Sequence, residues 1–398
     1  MKIALITTGK LPQPAISGGI ETLIDFIIEE NENYNNELVC YSIKPEIIQP
    51  NKMINVKFIY FKTNKLYDKI IKKINVITNK LGFILPNSFS LQVLKSMKKT
   101  EFELCLIENN INILCNVQKI NCKNIIYHIH YNDFNDSLDP FTKKIYKRSF
   151  AKCRTIIAIS EYIKKVSERV LDLNNIKIVK NIIDYDIFQL VKKDEILKIK
   201  NKYEIADEDF IIFYSGRIVK EKGVLELIEA FNLAYKKNRR IKLMIVGDVQ
   251  NNNELQSSYC EKIKDKSKMN SNIILTGYVD NKKLNNYVAI SDLTIIPTLH
   301  VEEAAGLVCL ESMCLKKPII ITDSGALGEY TNGLAIKIKR DDNFIINLAK
   351  EIIKLSEDNN QLNKIGENLY NSLAKCDKDM YYKKIILDNI QKDSDIHI

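Results

Sequence analysis

Two glutamates eight positions apart, Glu303 and Glu311, flank a Gly306-Leu307-Val308 step in the run Glu303-Ala304-Ala305-Gly306-Leu307-Val308-Cys309-Leu310-Glu311-Ser312. Before them, the apolar run Leu293-Thr294-Ile295-Ile296 closed by Pro297 predicts a buried strand, and after them a helix runs toward Pro318. The first carboxylate then sits on a strand-to-helix loop. The second lies inside the helix, about 7–8 Å along the axis from its start. Such a start offers free backbone N–H groups and the positive end of the helix dipole, which favour an anion such as a diphosphate. One carboxylate can hold sugar hydroxyls beside that anion, and the other the hydroxyls of a ribose. The ligand this arrangement suits is a sugar nucleotide. Taken alone, two glutamates at this spacing are commonplace, so the reading depends on what surrounds them.

A second block, Tyr214-Ser215-Gly216-Arg217-Ile218-Val219-Lys220-Glu221-Lys222-Gly223, also follows a strand and opens a helix. Arg217 as a two-pronged donor and Lys222 as a point charge could grip a diphosphate. The bland alternative is a solvated basic turn. The two blocks fall in the same half of the chain, one sheet's width apart, and that coincidence favours a shared site.

Short apolar strands alternate with helical stretches to position these blocks. In the C-terminal half, strands are predicted at 211–215, 243–246, 273–276, 293–296 and 319–322, with helices near 224–235, 255–266, 282–290 and 307–316. In the N-terminal half, strands are predicted at 2–7, 38–42, 56–60, 104–107, 125–128 and 155–159, with a further one at 176–179. That pattern implies parallel sheets covered on both faces. The 398 residues suit two such domains. We expect an N-terminal Rossmann-like domain over 1–185, a C-terminal one over 186–375 and a helical segment over 376–398 packing back on the first. Ligands would then lie at the strand C-termini, facing a cleft. Asp393-Ser394-Asp395 reads as a frayed tail.

The bulk numbers exclude several classes. The nine cysteines form no CxxC pair, and the four histidines (His128, His130, His300, His397) lack zinc-type Cys/His spacing. No signal peptide and no apolar run of about 18 residues is present, so a soluble, cytoplasmic or peripheral protein is expected. The net charge of +9 suits an anionic surface or simple solubility. No helix-turn-helix, zinc or RNP-like pattern supports nucleic acid as a partner.

The order Gly216-Arg217, Lys222-Gly223, Gly277-Tyr278-Val279, Glu303 to Glu311, Pro318 and Gly325/Glu329 resembles the retaining glycosyltransferases of family 4, which have the two-domain GT-B fold. Gly18-Gly19-Ile20-Glu21, His130 and Ile159-Ser160-Glu161 extend the likeness into the N-terminal half, with 45–100 largely outside it. The resemblance implies that Arg217 and Lys222 neutralise a leaving diphosphate and that Glu303 holds donor-sugar hydroxyls. It implies the backbone of Gly306, Leu307 and Val308 beside sugar and phosphate, Glu311 on the ribose, and the Gly277–Val279 turn at the nucleobase. Gly18 and Gly19 would let backbone approach the phosphates. His130 would stand near the reacting carbon and is preferred over His128 on the same strand face. Packing at a strand end is the alternative for both. There are departures: Ala305 replaces the usual Phe, Asn181-Ile182-Ile183-Asp184 replaces Asn-Gly-Val-Asp, and Lys316 stands where a Gly is common. Asp184-Tyr185-Asp186 satisfies a metal-binding Asp-x-Asp pattern, but its position matches the family's hinge, and a turn cap is expected. No metal and no cofactor is expected.

One stretch belongs to no motif. From Lys62 to Phe83, Leu66, Ile70, Ile74, Ile77 and Leu81 recur at helical spacing, while Lys62, Lys65, Lys69, Lys72, Lys73 and Lys80 crowd the remainder. Such a helix either lies on an anionic membrane, with Lys143, Lys144, Lys147 and Arg148 as a second basic cluster, or packs on a core behind a lysine-rich face. The leading expectation is therefore a glycosyltransferase acting on a lipid-linked glycan for a surface polymer. A sugar-nucleotide epimerase or phosphorylase on the same fold is a second reading. A catalytically silent, membrane-associated partner of a transferase is a third.

Overall fold

A computed structural model describes residues 1–15, 18–47, 53–131, 134, 136–248 and 254–390, without the side chains of 254–256. The expected tail at Asp393-Ser394-Asp395 lies outside them. The chain divides into one unit of Met1–Ile182 with Cys376–Ile398 and a second of Ile183–Lys375.

The first unit is built on a parallel sheet of order β3-β2-β1-β4-β5-β6-β7. Its strands are β1 (Lys2–Ile6), β2 (Glu37–Ile43), β3 (Val56–Phe61), β4 (Phe102–Glu108), β5 (Cys122–Ile129), β6 (Thr155–Ala158) and β7 (Ile176–Ile178). β1 and β4 form near-continuous buried runs, as a sheet covered on both faces requires. The helix α1 (Gly19–Tyr34) covers one face with Leu23, Ile24 and Ile27 against Ile3, Leu5 and Leu106. The C-terminal helix Lys378–Ile385 completes the same core through Tyr381, Tyr382 and Ile385.

The second unit repeats the plan with order β10-β9-β8-β11-β12-β13. Its strands are β8 (Phe210–Ser215), β9 (Ile241–Val246), β10 (Ile273–Gly277), β11 (Leu293–Ile296), β12 (Ile319–Thr322) and β13 (Ile336–Ile338). Helices Val224–Tyr235 and Phe344–Glu357 bury Leu227, Phe231, Leu348 and Ile352 on one face of it.

The strand order reverses direction between β1 and β4 in the first unit and between β8 and β11 in the second. At such a switch point the loops after neighbouring strands part and leave a crevice at the carboxyl ends.

The joint falls three residues before the expected one. Ile182 is buried in the first core, whereas Ile183 packs against the second. Asp184 then caps the short helix Tyr185–Gln189 by accepting from the Ile187 N–H at 3.1 Å. Two expected features need correcting. The helix after Gly306 ends at Cys314, and β13, only three residues long, has no counterpart among the expected strands.

Candidate active site

Arg217 and Lys222 ride on the loop after β8, and Glu303 on the loop after β11, at the switch point of the second sheet. The β8 loop closes in a short 3-10 turn, Lys220–Lys222, followed by Gly223 at φ 69°. A Cβ at Gly223 would stand 2.1 Å from the Pro297 carbonyl oxygen, so only glycine lets the two loops meet there. The Glu221 carbonyl then accepts from the Leu299 and His300 N–H groups at 2.8 and 3.1 Å, stitching the loops together.

The result is a salt bridge between Lys222 Nζ and Glu303 Oε2 at 2.5 Å, with both side chains partly open to solvent. Thr298 Oγ1 lies 3.3 Å from the same carboxylate oxygen and 3.0 Å from the Glu221 carbonyl. The Glu303 backbone is clamped from the other side, where the Ala326 N–H donates to its carbonyl at 2.7 Å. At Gly325, φ 45°, a Cβ would fall 2.0 Å from that carbonyl oxygen. Arg217 is exposed, and its guanidinium makes no ion pair among the described residues. It is an exposed cation on the same loop as the paired one.

Gly306 caps the helix Leu307–Cys314, with Leu307 and Val308 half-buried in its first turn. Glu311 follows one turn later. Burial pushes its carboxyl up to about 7, and its Oε2 is buried without a hydrogen-bond partner. An unpaired buried carboxylate oxygen is costly unless a donor comes to it, and a ligand hydroxyl would serve. Gly216 directly follows β8, Gly277 ends β10, and the Gly247 N–H donates to the Gly277 carbonyl at 3.0 Å. Tyr278 is half-exposed beside the partly buried Val279.

In the first unit Gly18 caps α1 and Gly19 opens it. His130 follows β5 and is buried with His128 and Glu108. Glu108 Oε2 lies 2.5 Å from His130 Nε2 and 3.1 Å from His128 Nδ1. Burial alone would raise the Glu108 carboxyl, but the two imidazoles hold it down at about 2. Burial, reinforced by His128, lowers the His130 pKa, against the opposing pull of Glu108 and Glu21. Among the described residues this trio alone has a donor set for a metal, its ligand atoms lying within 4.8 Å of one another. The 2.5 Å contact, however, is a hydrogen bond. Ligands sharing a tetrahedral zinc at about 2.0 Å stand about 3.3 Å apart.

Sequence reasoning missed Glu108 and Thr298. Glu108 meets its histidines only through the pairing of neighbouring strands, and Thr298 meets the Glu221 carbonyl 77 positions away, which no local spacing reveals. For a metal, sequence reasoning weighed the histidines only with cysteine partners, whereas their partner is a carboxylate on the adjacent strand.

Residues 195–372 match the model of the family Glycosyl transferases group 1. The chain is 24% identical to the lipopolysaccharide 1,2-N-acetylglucosaminetransferase of Salmonella typhimurium, covering 80% of this chain and 78% of that one. It is 31% identical to the capsular polysaccharide biosynthesis glycosyltransferase CapM of Staphylococcus aureus, covering 54% and 56%. A crystal structure of a glycosyltransferase from Rickettsia africae superposes with a TM-score of 0.77 at 18% identity, covering 99% of both chains. Anabaena Alr3699/HepE in complex with UDP superposes with a TM-score of 0.70 at 15% identity, covering 97% and 98%. Residues 195–372, within the second unit, are thus similar to the Glycosyl transferases group 1 family, in a chain with the GT-B fold of two parallel-sheet Rossmann-like domains.

Proposed function

We propose that the protein transfers a sugar from a nucleoside-diphosphate donor, with retention at the anomeric carbon, to a lipid-linked glycan of a cell-surface polysaccharide. The observation that carries this reading is the Lys222–Glu303 pair at the switch point of the second sheet, with Arg217 exposed on the same loop as Lys222. A diphosphate arriving there takes Lys222 and Arg217 as counter-charges, and Glu303 is released to accept from donor-sugar hydroxyls. Glu311 holds the ribose. As the bond from the anomeric carbon to the phosphate oxygen breaks, its electron pair stays on the diphosphate, where the cations stabilise it. The acceptor oxygen bonds to the same carbon on the same face, and its proton passes to the leaving phosphate oxygen. The chemistry asks for no metal, because the two cations supply the charge.

The acceptor side rests on α2 (Lys65–Thr78), which buries only Ile71 and Thr78. Leu66, Ile70, Ile74, Val76 and Ile77 are exposed, as are Leu81 and Phe83 beyond its end, among Lys62, Lys65, Lys69, Lys72, Lys73 and Lys80. This is the face of a helix that lies in the surface of an anionic membrane, at about 1 kcal/mol per lysine. A groove of about 830 Å³ opens beside it, lined in part by Ile71, Val76, Ile84, Phe141 and Tyr146. Among the described residues no helix is long and apolar enough to cross a membrane. The protein on this reading works at the inner face of the membrane as a peripheral enzyme. The names of its relatives in lipopolysaccharide and capsule synthesis agree with such an acceptor.

Thermal unfolding against UDP, GDP, TDP, ADP and CMP tests the donor half, with UDP the first probe because a structural neighbour was solved with it. Ligand at about 100 times its dissociation constant adds about 2.7 kcal/mol. That raises the melting temperature by about 5–10 °C in a domain of this size. Lys222→Ala should abolish the shift. No shift with any of the five would overturn the reading.

A further inference from the structure

Glu108 ends β4 at the switch point of the first sheet, and β5 beside it carries His128 opposite Glu108 in the register. One carboxylate oxygen, Oε2, serves both imidazoles, but not equally. It makes a hydrogen bond with His130 Nε2 at 2.5 Å, while His128 Nδ1 at 3.1 Å lies outside hydrogen-bond geometry. The backbone of His130 is fixed from the same strand end. Its N–H donates to Asn109 Oδ1 at 2.6 Å, and Asn109 in turn donates its N–H to the His128 carbonyl at 2.9 Å. His130 therefore has neither backbone nor ring freedom, and its second ring nitrogen, Nδ1, is buried without a partner. The nearby charged groups are His128 on β5, Glu21 on α1 and Lys10 on the loop after β1.

We propose that Glu108 is a positioning residue that holds His130 as the neutral imidazole protonated on Nε2, leaving Nδ1 as the acceptor for a substrate hydroxyl. A carboxylate can only accept, so the nitrogen facing it must carry the proton. The opposite nitrogen of a neutral ring then has a lone pair and no hydrogen. Such an atom takes a hydroxyl donor and rejects an anionic oxygen, so His130 recognises a sugar or acceptor hydroxyl and leaves the phosphates to the second unit. The substrate half of this inference rests on the transferase reading. The tautomer itself does not.

The test is two-bond proton–nitrogen NMR of the full chain labelled at its four histidines, from pH 6 to 9. His130 should show the Nε2–H tautomer in the wild type, Glu108→Leu, which has no acceptor, should lose its preference for it, and Glu108→Asp should keep it in part. An imidazolium or an Nδ1–H tautomer at pH 7–8 in the wild type would overturn the proposal. So would an unchanged tautomer in Glu108→Leu. If Glu108→Leu does not fold, the wild-type spectrum decides alone. In turnover assays Glu108→Gln should lower kcat by about 10- to 100-fold, the worth of one hydrogen bond to a charged group. The donor KM should stay within about twofold, since the donor diphosphate is bound elsewhere. The acid limb of kcat should move to lower pH, because removing the carboxylate removes the attraction that favours protonated His130. A structural role alone would leave that limb in place. If no nucleotide sugar is turned over, the transferase reading fails while the tautomer result stands.

Discussion

Glu311 is an acid whose surroundings oppose its charge, and this fixes the sign of two pH effects. Its folded carboxyl titrates at about 7 through burial. An unfolded glutamate titrates at about 4.3. Between those values the folded state binds more protons than the unfolded one, so this residue's contribution to stability is greatest below about pH 4 and declines as pH rises to about 7. Glu311→Gln should therefore flatten the fall in melting temperature over that window. Binding has the opposite dependence. Ribose hydroxyls donate to a carboxylate better than to a neutral acid, so nucleoside-diphosphate affinity should rise as pH passes upward through about 7. Calorimetric titration at pH 6 and 8 checks this, and equal affinities at both would remove Glu311 from the ribose site. At this scale the sequence was readable where chemistry is local and opaque where it is not. Glu303, Glu311, Arg217 and Lys222 stood out in the sequence as candidates, and the structure pairs two of them, Lys222 and Glu303. Lys316 is a different case. It stands where the family the sequence resembles commonly has glycine, and its φ of 55° is the left-handed backbone that glycine adopts freely.

The helix α2 shows what periodicity can and cannot settle. Its apolar spacing was plain in the sequence, and either a core or a membrane could have taken that face. The structure turns it outward, because other bonds hold the helix in place. Asp68 accepts from the Ser88 N–H at 2.6 Å, and Asn75 exchanges hydrogen bonds with the Leu85 backbone at 2.8 and 3.0 Å. Polar side chains thus pin the helix by its inner edge, leaving Leu66 and Ile77 at 70% and 65% exposure. Replacing both with Ser should leave stability unchanged within about 0.5 kcal/mol, as for other surface sites. The same double variant should lose binding to vesicles containing anionic lipid, read by co-sedimentation. A destabilised protein would mean that this face is already packed. Undiminished vesicle binding would mean that the membrane is met elsewhere. The central strands were legible for the opposite reason: β1, β4, β8 and β11, largely buried, carry near-continuous apolar runs, whereas the three-residue edge strand β13 does not.

At the scale of the whole molecule, the last part of the chain returns to the first. Tyr381, Tyr382, Ile385 and Ile386 are fully buried in the core of the first unit, so a segment that follows the second unit in sequence is structural material of the other. The sequence suggested a helix there, but its polar anchors could not be read because they pair residues about 350 positions apart. Tyr382 stacks on Tyr34, with ring centroids 4.7 Å apart, and its hydroxyl donates to Asn31 Oδ1 and accepts from Asn36 Nδ2, each at 2.9 Å. Tyr382→Phe keeps the ring and removes only the hydroxyl, leaving a buried acceptor and a buried donor unpaired at a cost of about 1–3 kcal/mol. Hydrogen exchange should then quicken in β1, β2 and α1, whose core the segment completes, and stay unchanged in β8, β11 and the helix Leu307–Cys314. Nucleoside diphosphate should do the reverse, slowing exchange in the second set and leaving the first as it was. If Tyr382→Phe instead loosened β8 and β11 equally, the C-terminal segment would be serving both units rather than completing the core of the first alone.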